Sequence, residues 1–218
     1  MAVPAERERN PARTREAILD AAERLFAEKG FEATSLNEVG ARAGVSRGTP
    51  GYFFGSKAEL YRAVLERCLT QVRAAVRSGR ERAAASQEGP EVVLAGAVSD
   101  YFDFIASRPS FVRLMEWEAL GGGRHLQEMP PHVEAAHEAL AAISAELGLE
   151  PSQRAEAMQL LLSIIALCWF PMVHSDTVLR ALGLDPIDPK FLEERKRHVV
   201  ELVLQGIKGR LAVTEPAP

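Results

Sequence analysis

The sequence predicts an all-α protein: a three-helix head with a helix-turn-helix, followed by a larger helical body. Three observations carry that prediction. Apolar residues recur at i, i+3, i+4 and i+7 along most of the 218 residues. No segment shows the alternation of a strand bounded by turn signals. Residues 35–60, SLNEVGARAGVSRGTPGYFFGSKAEL, hold two Ser-x-x-Glu start signals on either side of a glycine turn.

Residues 1–11 read as a flexible arm with Pro4, Pro11 and mixed charge. Its Arg7 and Arg9, with Arg13 just beyond, either reach DNA or remain in solvent. The head is expected over 12–62, with its motif at about 35–54. Ile18, Ala21, Ala22, Leu25 and Phe26 give the first helix one apolar face, and Gly30 ends it. Ser35 and Glu38 form a capping box for the second helix, whose Leu36, Val39, Gly40 and Ala43 share a face. Gly44 suits the left-handed stop that follows. Ser46 is the natural cap for the next helix, about Arg47 to Phe53. Ser56 and Glu59 then launch a long helix expected to reach about Ser78 and to join head to body.

The body is expected over 63–211, with a tail at 212–218. Pro90 opens a helix that stops before Pro109, with Leu94, Ala97, Val98, Tyr101, Phe102 and Ile105 as its stripe. Further helices are expected at 110–120 and 131–147. A longer one over 151–182 should bend near Pro171, and the last should cover 190–211. The GGGR run at 121–124 follows no strand and lacks a phosphate loop's Lys-Ser/Thr, so it is a joint.

Net charge is −4, which excludes a surface that binds nucleic acid all over. Residues 1–62 hold ten Lys/Arg against nine Asp/Glu, so a local patch must supply any phosphate binding. Cys68 and Cys168 lie far apart in apolar helical patterns and read as reduced core thiols. The N-terminus is polar, and the longest apolar run, Leu160–Val173, is interrupted by Ser163 and Pro171. A cytoplasmic protein with no membrane partner and a buried core helix at that run is expected. No HExxH or GxxxxGK[ST] pattern occurs, and His132 and His137 are wrongly spaced for two ligands on one helical face. Glu116 and Glu118 flank Trp117 on different sides of a helix and are expected in solvent. No enzyme activity, cofactor or metal is expected.

A short helix propped on another by a glycine turn is the shape that enters a DNA major groove. Arg47 carries a fork that fits guanine O6 and N7; it either reads a base or contacts phosphate. Thr49 suits a thymine methyl or a phosphate, and Gly48 lets backbone come close to the duplex. Tyr52 offers a hydroxyl to phosphate or packs in the head core. Thr34, Ser35, Ser46 and Lys57 stand at helix starts, where phosphate is favoured. One head is too small to be specific, so a homodimer on a pseudo-palindromic double-stranded operator is expected, with half-sites about 34–36 Å apart or a multiple.

In the body, Tyr101, Phe102, Phe104, Met115 and Trp117 fall on two of the predicted helices. Trp169, Phe170, Met172 and His174 fall on a third. Together they read either as a pocket for a small apolar or aromatic effector, or as plain core. The last two helices are expected to pack on those of a second copy as a four-helix bundle; Leu192, Val199, Leu202, Val203 and Gly206 on the final helix face either that copy or their own subunit.

The run AGVSRGT, then an aromatic pair and GSKAEL, resembles the tetracycline-repressor (TetR) family of bacterial transcriptional regulators over residues 13–65. The resemblance implies an all-helical homodimer, each subunit with a three-helix DNA-binding head and a body that binds a small molecule and dimerises. Where members usually carry a large aliphatic residue followed by Tyr, this chain has Pro50 and Gly51. The phosphate-contacting Tyr of the family is thus absent at 51, and Tyr52 is the candidate to stand in for it. With Ser46 as cap, Pro50 is the first residue whose missing N–H removes an intrahelical bond, at about 3 kcal/mol, and Gly51 adds about 1 kcal/mol. The recognition helix is therefore expected to be marginal alone, held by Tyr52, Phe53 and Phe54. The expected function is ligand-responsive transcriptional regulation, most often repression. The alternatives are a DNA-binding module without an effector and a small-molecule carrier with a vestigial head.

Overall fold

The computed structural model describes residues 10–86, 89–127 and 129–214. Among the described residues every regular element is helical. The head is α1 (Pro11–Lys29), α2 (Leu36–Arg42) and α3 (Thr49–Phe54), with the first turns of α4 (Lys57–Ala84). The body adds α5 (Pro90–Ser107), α6 (Pro109–Leu120), the single turn α7 (Arg124–Gln127), α8 (Pro130–Glu146), α9 (Arg154–Val173) and α10 (Pro189–Thr214). Arg7 and Arg9 of the expected arm lie outside the described residues; Arg13 is exposed on α1, whose cap is Asn10.

The local start and stop signals explain why the head folds as it does. Ser35 and Glu38 close one capping box, and Ser56 and Glu59 close the other. After α2 the chain makes a complete Schellman turn: Val45 N–H bonds Gly40 O at 2.9 Å and Gly44 N–H bonds Ala41 O at 3.2 Å. Gly44 takes φ +69° there, where a Cβ would be strained. Ile18, Leu25 and Phe26 of α1 bury against Val39 of α2 and Leu60, Tyr61 and Val64 of α4. On the outer side, Arg67 of α4 is paired with Glu16, Asp20 and Glu23, three carboxylates on one face of α1.

α4 passes without interruption through the expected end of the head at residue 62 and continues to Ala84, beyond the stop expected near Ser78. The reason is Gly79, which is a contact and not a terminator. A Cβ at Gly79 would lie 2.4 Å from the carbonyl oxygen of Gly96, so α4 and α5 touch backbone to backbone. A second core, with Leu94, Val98, Phe102, Ile164 and Cys168, joins α5, α8, α9 and α10.

The helix expected over 151–182 is three pieces: a 3₁₀ turn at Pro151–Gln153, α9, and a π turn at Ser175–Leu179. Pro171 stays inside α9 and leaves the carbonyl of Leu167 without its helical partner. Arg195 of α10 donates to that oxygen at 3.0 Å, so the break is satisfied from the neighbouring helix. α9 departs from the expected buried core helix. Its most apolar stretch, within Pro151–Val173, is 22% buried in the single chain. By length and apolarity alone this helix would cross a membrane; it packs instead on α5, α6, α8 and α10.

Candidate DNA-binding surface

The recognition helix begins two residues later than the Ser46 cap predicts. α3 starts at Thr49, with Gly48 as N-cap and Pro50 at the second position. The first helical bond runs from Tyr52 N–H to Gly48 O at 3.0 Å. Pro50 therefore sits where the N–H has no intrahelical partner in any case, and its ring fixes φ for the first turn. The penalty expected from an interior proline disappears. Pro50 is also buried: a Cβ on Gly40 would lie 3.5 Å from its Cγ and Cδ and 3.2 Å from Ser46 O, so α2 and α3 meet at a glycine and a proline ring. Ser46 is a turn residue instead of a cap, its Oγ 2.6 Å from Thr49 Oγ1.

On the outer surface, Arg47 is exposed and has no hydrogen bond or ion pair among the described residues. Tyr52 is 85% exposed, its ring edge-on to Phe53 at 5.4 Å. That places its hydroxyl outward and leaves the head core to Phe53 and Phe54. Gly48 and Gly51 have open space where a Cβ would stand. Gly44 to Gly48 happen to carry Gly-x-Ser-x-Gly spacing, but a nucleophile elbow is entered from a strand, and here α2 enters through the Schellman turn.

Three helix-start candidates are placed differently from a free phosphate ligand. Thr34 is a correction: it is buried, and its hydroxyl donates to Gly30 O at 2.8 Å and reaches Leu25 O at 3.3 Å, closing the carbonyl end of α1. Lys57 turns back over the Phe31 ring at 4.3 Å and donates to Phe31 O at 2.9 Å and Glu32 O at 3.2 Å. Ser35 stays exposed, with its hydroxyl 2.9 Å from the Glu38 carboxylate. Lys29, then Ser35, hold that carboxyl down at about 2.

The nine aromatic and sulfur candidates of the body do not meet in one cavity. Phe102 is core, against Leu94 and Val98. Phe104 stacks edge-on with Phe111 at 5.3 Å, and Phe111 meets Trp169 at 5.6 Å, whose indole N–H donates to the Tyr101 hydroxyl. Met115 and Met172 are half-buried against the same core, and Phe170 and His174 pair at 4.5 Å near the surface. Trp117 belongs to the head–body junction: its indole N–H donates to Ala27 O at 3.2 Å, and its ring lies across Gly30. Surface cavities flank α4, α5 and α10: one is framed by Gly79, Arg82, Ser99 and Lys196, another by Asp103, Phe104, Arg108 and Leu192.

On α10, Val199 and Val203 are buried in their own subunit's core, because α10 packs that face on α5 and α9. Leu202 and Gly206 are exposed, and Leu192 is half-buried. On α9, the other helix expected at a dimer contact, the sequence reading named no residues; Met158, Leu162 and Ile165, at i, i+4 and i+7, all reach solvent in the single chain. The signal was there, since α9 is apolar all round, and such a helix needs cover on every side. Glu118, expected in solvent, is 4% exposed and bonded to Tyr61 and His125.

A glycine-turned helix pair with an exposed Arg and Tyr at its tip, carried on a helical body, defines the helix-turn-helix DNA-binding regulators. Residues 18–64 match the model of the bacterial regulatory proteins, tetR family, and residues 90–203 match that of the tetracyclin repressor-like C-terminal domain. The chain belongs to the TetR family of transcriptional regulators. It is 24% identical over 201 residues to the HTH-type transcriptional repressor NicS of Pseudomonas putida, covering 90% of this chain and 93% of that protein. It is 34% identical over 98 residues to the HTH-type transcriptional activator FasR of Mycolicibacterium smegmatis, 45% of this chain and 43% of that one. The fold is that of the fatty acid degradation regulator FadR from Bacillus halodurans, with a TM-score of 0.66 at 18% identity over 88% of this chain and 95% of that one.

Proposed function

We propose that the protein is a repressor that binds a pseudo-palindromic operator as a homodimer and leaves it when a small apolar or aromatic molecule binds the body. The observation that carries the proposal is the outward pair Arg47 and Tyr52 on a motif whose α2 capping box and Schellman turn are closed and whose Pro50 packs against Gly40. Repression is supported by the likeness to NicS along 90% of the chain. The dimer is supported by the uncovered face of α9 and by the exposed Leu202 and Gly206 of α10, which packs on α9; two such helices suit a four-helix contact between two copies. An apolar effector is supported by the aromatic interior around Tyr101, Phe104 and Trp169. Release follows if the effector binds more tightly to a conformation in which the two heads no longer match successive grooves.

Selection of bound duplexes from random DNA by the purified protein tests the operator. Paired inverted half-sites are expected, and unpaired or unenriched sequence refutes the dimeric reading. On the selected operator, Arg47→Ala should weaken binding by about 1–3 kcal/mol and relax one base-pair position. An equal loss on random DNA would make Arg47 a phosphate contact only. A thermal-shift screen of apolar compounds, followed by operator release, tests the effector. Stabilising ligands that leave DNA binding unchanged would remove that part of the proposal.

A further inference from the structure

Several polar links join the head to the body: Arg113 and Trp117 of α6 donate to Ala27 O at 3.1 and 3.2 Å, and Arg67 pairs with the carboxylates of α1, but the link from Glu118 to Tyr61 joins two buried side chains. Glu118, in the last turn of α6, sits buried between the start of α4 and the one-turn α7. Its Oε1 accepts the Tyr61 hydroxyl proton at 2.8 Å and lies 2.9 Å from His125 Nδ1, and its Oε2 accepts the His125 backbone N–H at 3.2 Å. The imidazole lies edge-on to the Tyr61 ring at 4.9 Å and tilted to the Phe31 ring at 4.8 Å. Phe31 is held in turn by Lys57, which lies over its ring and bonds its carbonyl. One carboxylate thus gathers a side chain of the head's own core, a residue of the body, and the ring that anchors the loop before α2.

A buried carboxylate is a poor means of stabilising an interface, since desolvation offsets most of what its bonds contribute. An apolar side chain at 118 would fill the space with less penalty. What a fully bonded carboxylate supplies, and an apolar contact does not, is direction: the bonds hold at one angle and fail at others. Nothing in the groove-facing surface or the two cores makes use of it. We infer that Glu118 is a positioning residue for operator binding, fixing through Tyr61 and His125 the angle at which the body carries the head. The inference rests on the proposed two-headed operator complex, in which that angle decides which half-site spacing is accepted.

Adding one base pair between half-sites moves them about 3.4 Å apart and turns one by about 34–36° relative to the other. Rigidly held heads refuse that change, and loosened heads accept it. The test uses full-length protein and the half-site obtained by selection, built into duplexes whose central spacer varies one base pair at a time. Tyr61→Phe removes the hydroxyl and keeps the ring; Glu118→Gln keeps the shape and removes the charge. The wild type should prefer its best spacing over either neighbour by about tenfold or more, the scale of a lost base contact. Both variants should fall to about threefold or less, with each half-site position read as before. Unchanged spacing preference in Tyr61→Phe would overturn the inference, as would an equal loss of affinity at every spacing, which marks a merely structural role. Should Glu118→Gln fail to fold, Tyr61→Phe decides alone. Failure of the wild type to select paired half-sites is a separate result and strikes the proposed function first.

Discussion

Replacing Pro50 by Ala discriminates between the two starts available to the recognition helix, because they demand opposite signs. In the structure Pro50 occupies the second position of α3, buried against Gly40. Ala removes two ring methylenes from that contact, about 0.8 kcal/mol each when buried. It also returns to the unfolded chain a freedom worth about 0.4–1 kcal/mol. The expected loss is about 2–2.5 kcal/mol, which lowers the melting temperature by about 4–10 °C in a chain of this size. With the helix starting from a Ser46 cap, the same substitution would restore an interior hydrogen bond and gain about 3 kcal/mol. Urea unfolding at one fixed protein concentration measures the difference, with tryptophan emission as the probe, since Trp117 lies across Gly30 of the head. Gly51→Ala is the internal control: a Cβ there meets nothing within 4 Å, so about 0.5–1 kcal/mol of added stability is expected. A Pro50→Ala protein more stable than wild type would refute the assigned start of α3.

Much of the head was legible from sequence, because its signals are short-range. A capping box spans four residues, a Schellman turn six, and both sets lie contiguous in the chain. The start of α3 was not legible, because two rules compete within four residues. Ser46 is a good cap, yet a helix from it would place Pro50 at a forbidden position, and the chain resolves the conflict by starting at Thr49. The deciding contact is Pro50 with Gly40, ten residues away, which no local pattern encodes. Thr34 was misread for a similar reason. A polar residue at a helix start looks free to bind phosphate until the preceding helix end, with its bare carbonyls, is brought beside it.

In the body the sequence gives periodicity but not which side faces which neighbour. Val199 and Val203 share a stripe with nothing to say whether the own core or a second copy covers it. α9 shows the opposite case: being apolar all round, it announces cover on two sides without naming what covers the second. Glu118 was the least legible of all. Its neighbours in sequence place it on a helix flank, and only Tyr61, 57 residues earlier, makes a burial site for it.

Two further expectations follow from these placements. Leu162→Glu puts a charge on the most exposed residue of the α9 face, 57% accessible in the single chain, and takes away an apolar side chain from each copy. Dimer affinity should fall by about 3 kcal/mol or more, roughly 100-fold, and sedimentation at micromolar concentration would show monomers that have lost tight operator binding; an intact dimer would move the interface elsewhere. The second concerns acid. Glu38 is held down from 4.5 to about 2, chiefly by Lys29 and then by Ser35, and Glu59 is lowered chiefly by the Ser56 backbone N–H. A carboxyl whose folded value is depressed contributes stability that is complete above its unfolded value and is lost as pH falls through the folded one. The capping boxes should therefore weaken between about pH 4.5 and pH 2, with the head loosening over that window. Both carboxyls are exposed, so added salt should blunt the Lys29 part and leave the backbone bonds of the caps. Gln also closes a capping box but does not titrate. The variant carrying Glu38→Gln and Glu59→Gln should accordingly show a shallower decline in helix signal and in protease resistance of the head over the same window, and an acid profile identical to wild type would show that these two carboxylates do not govern it.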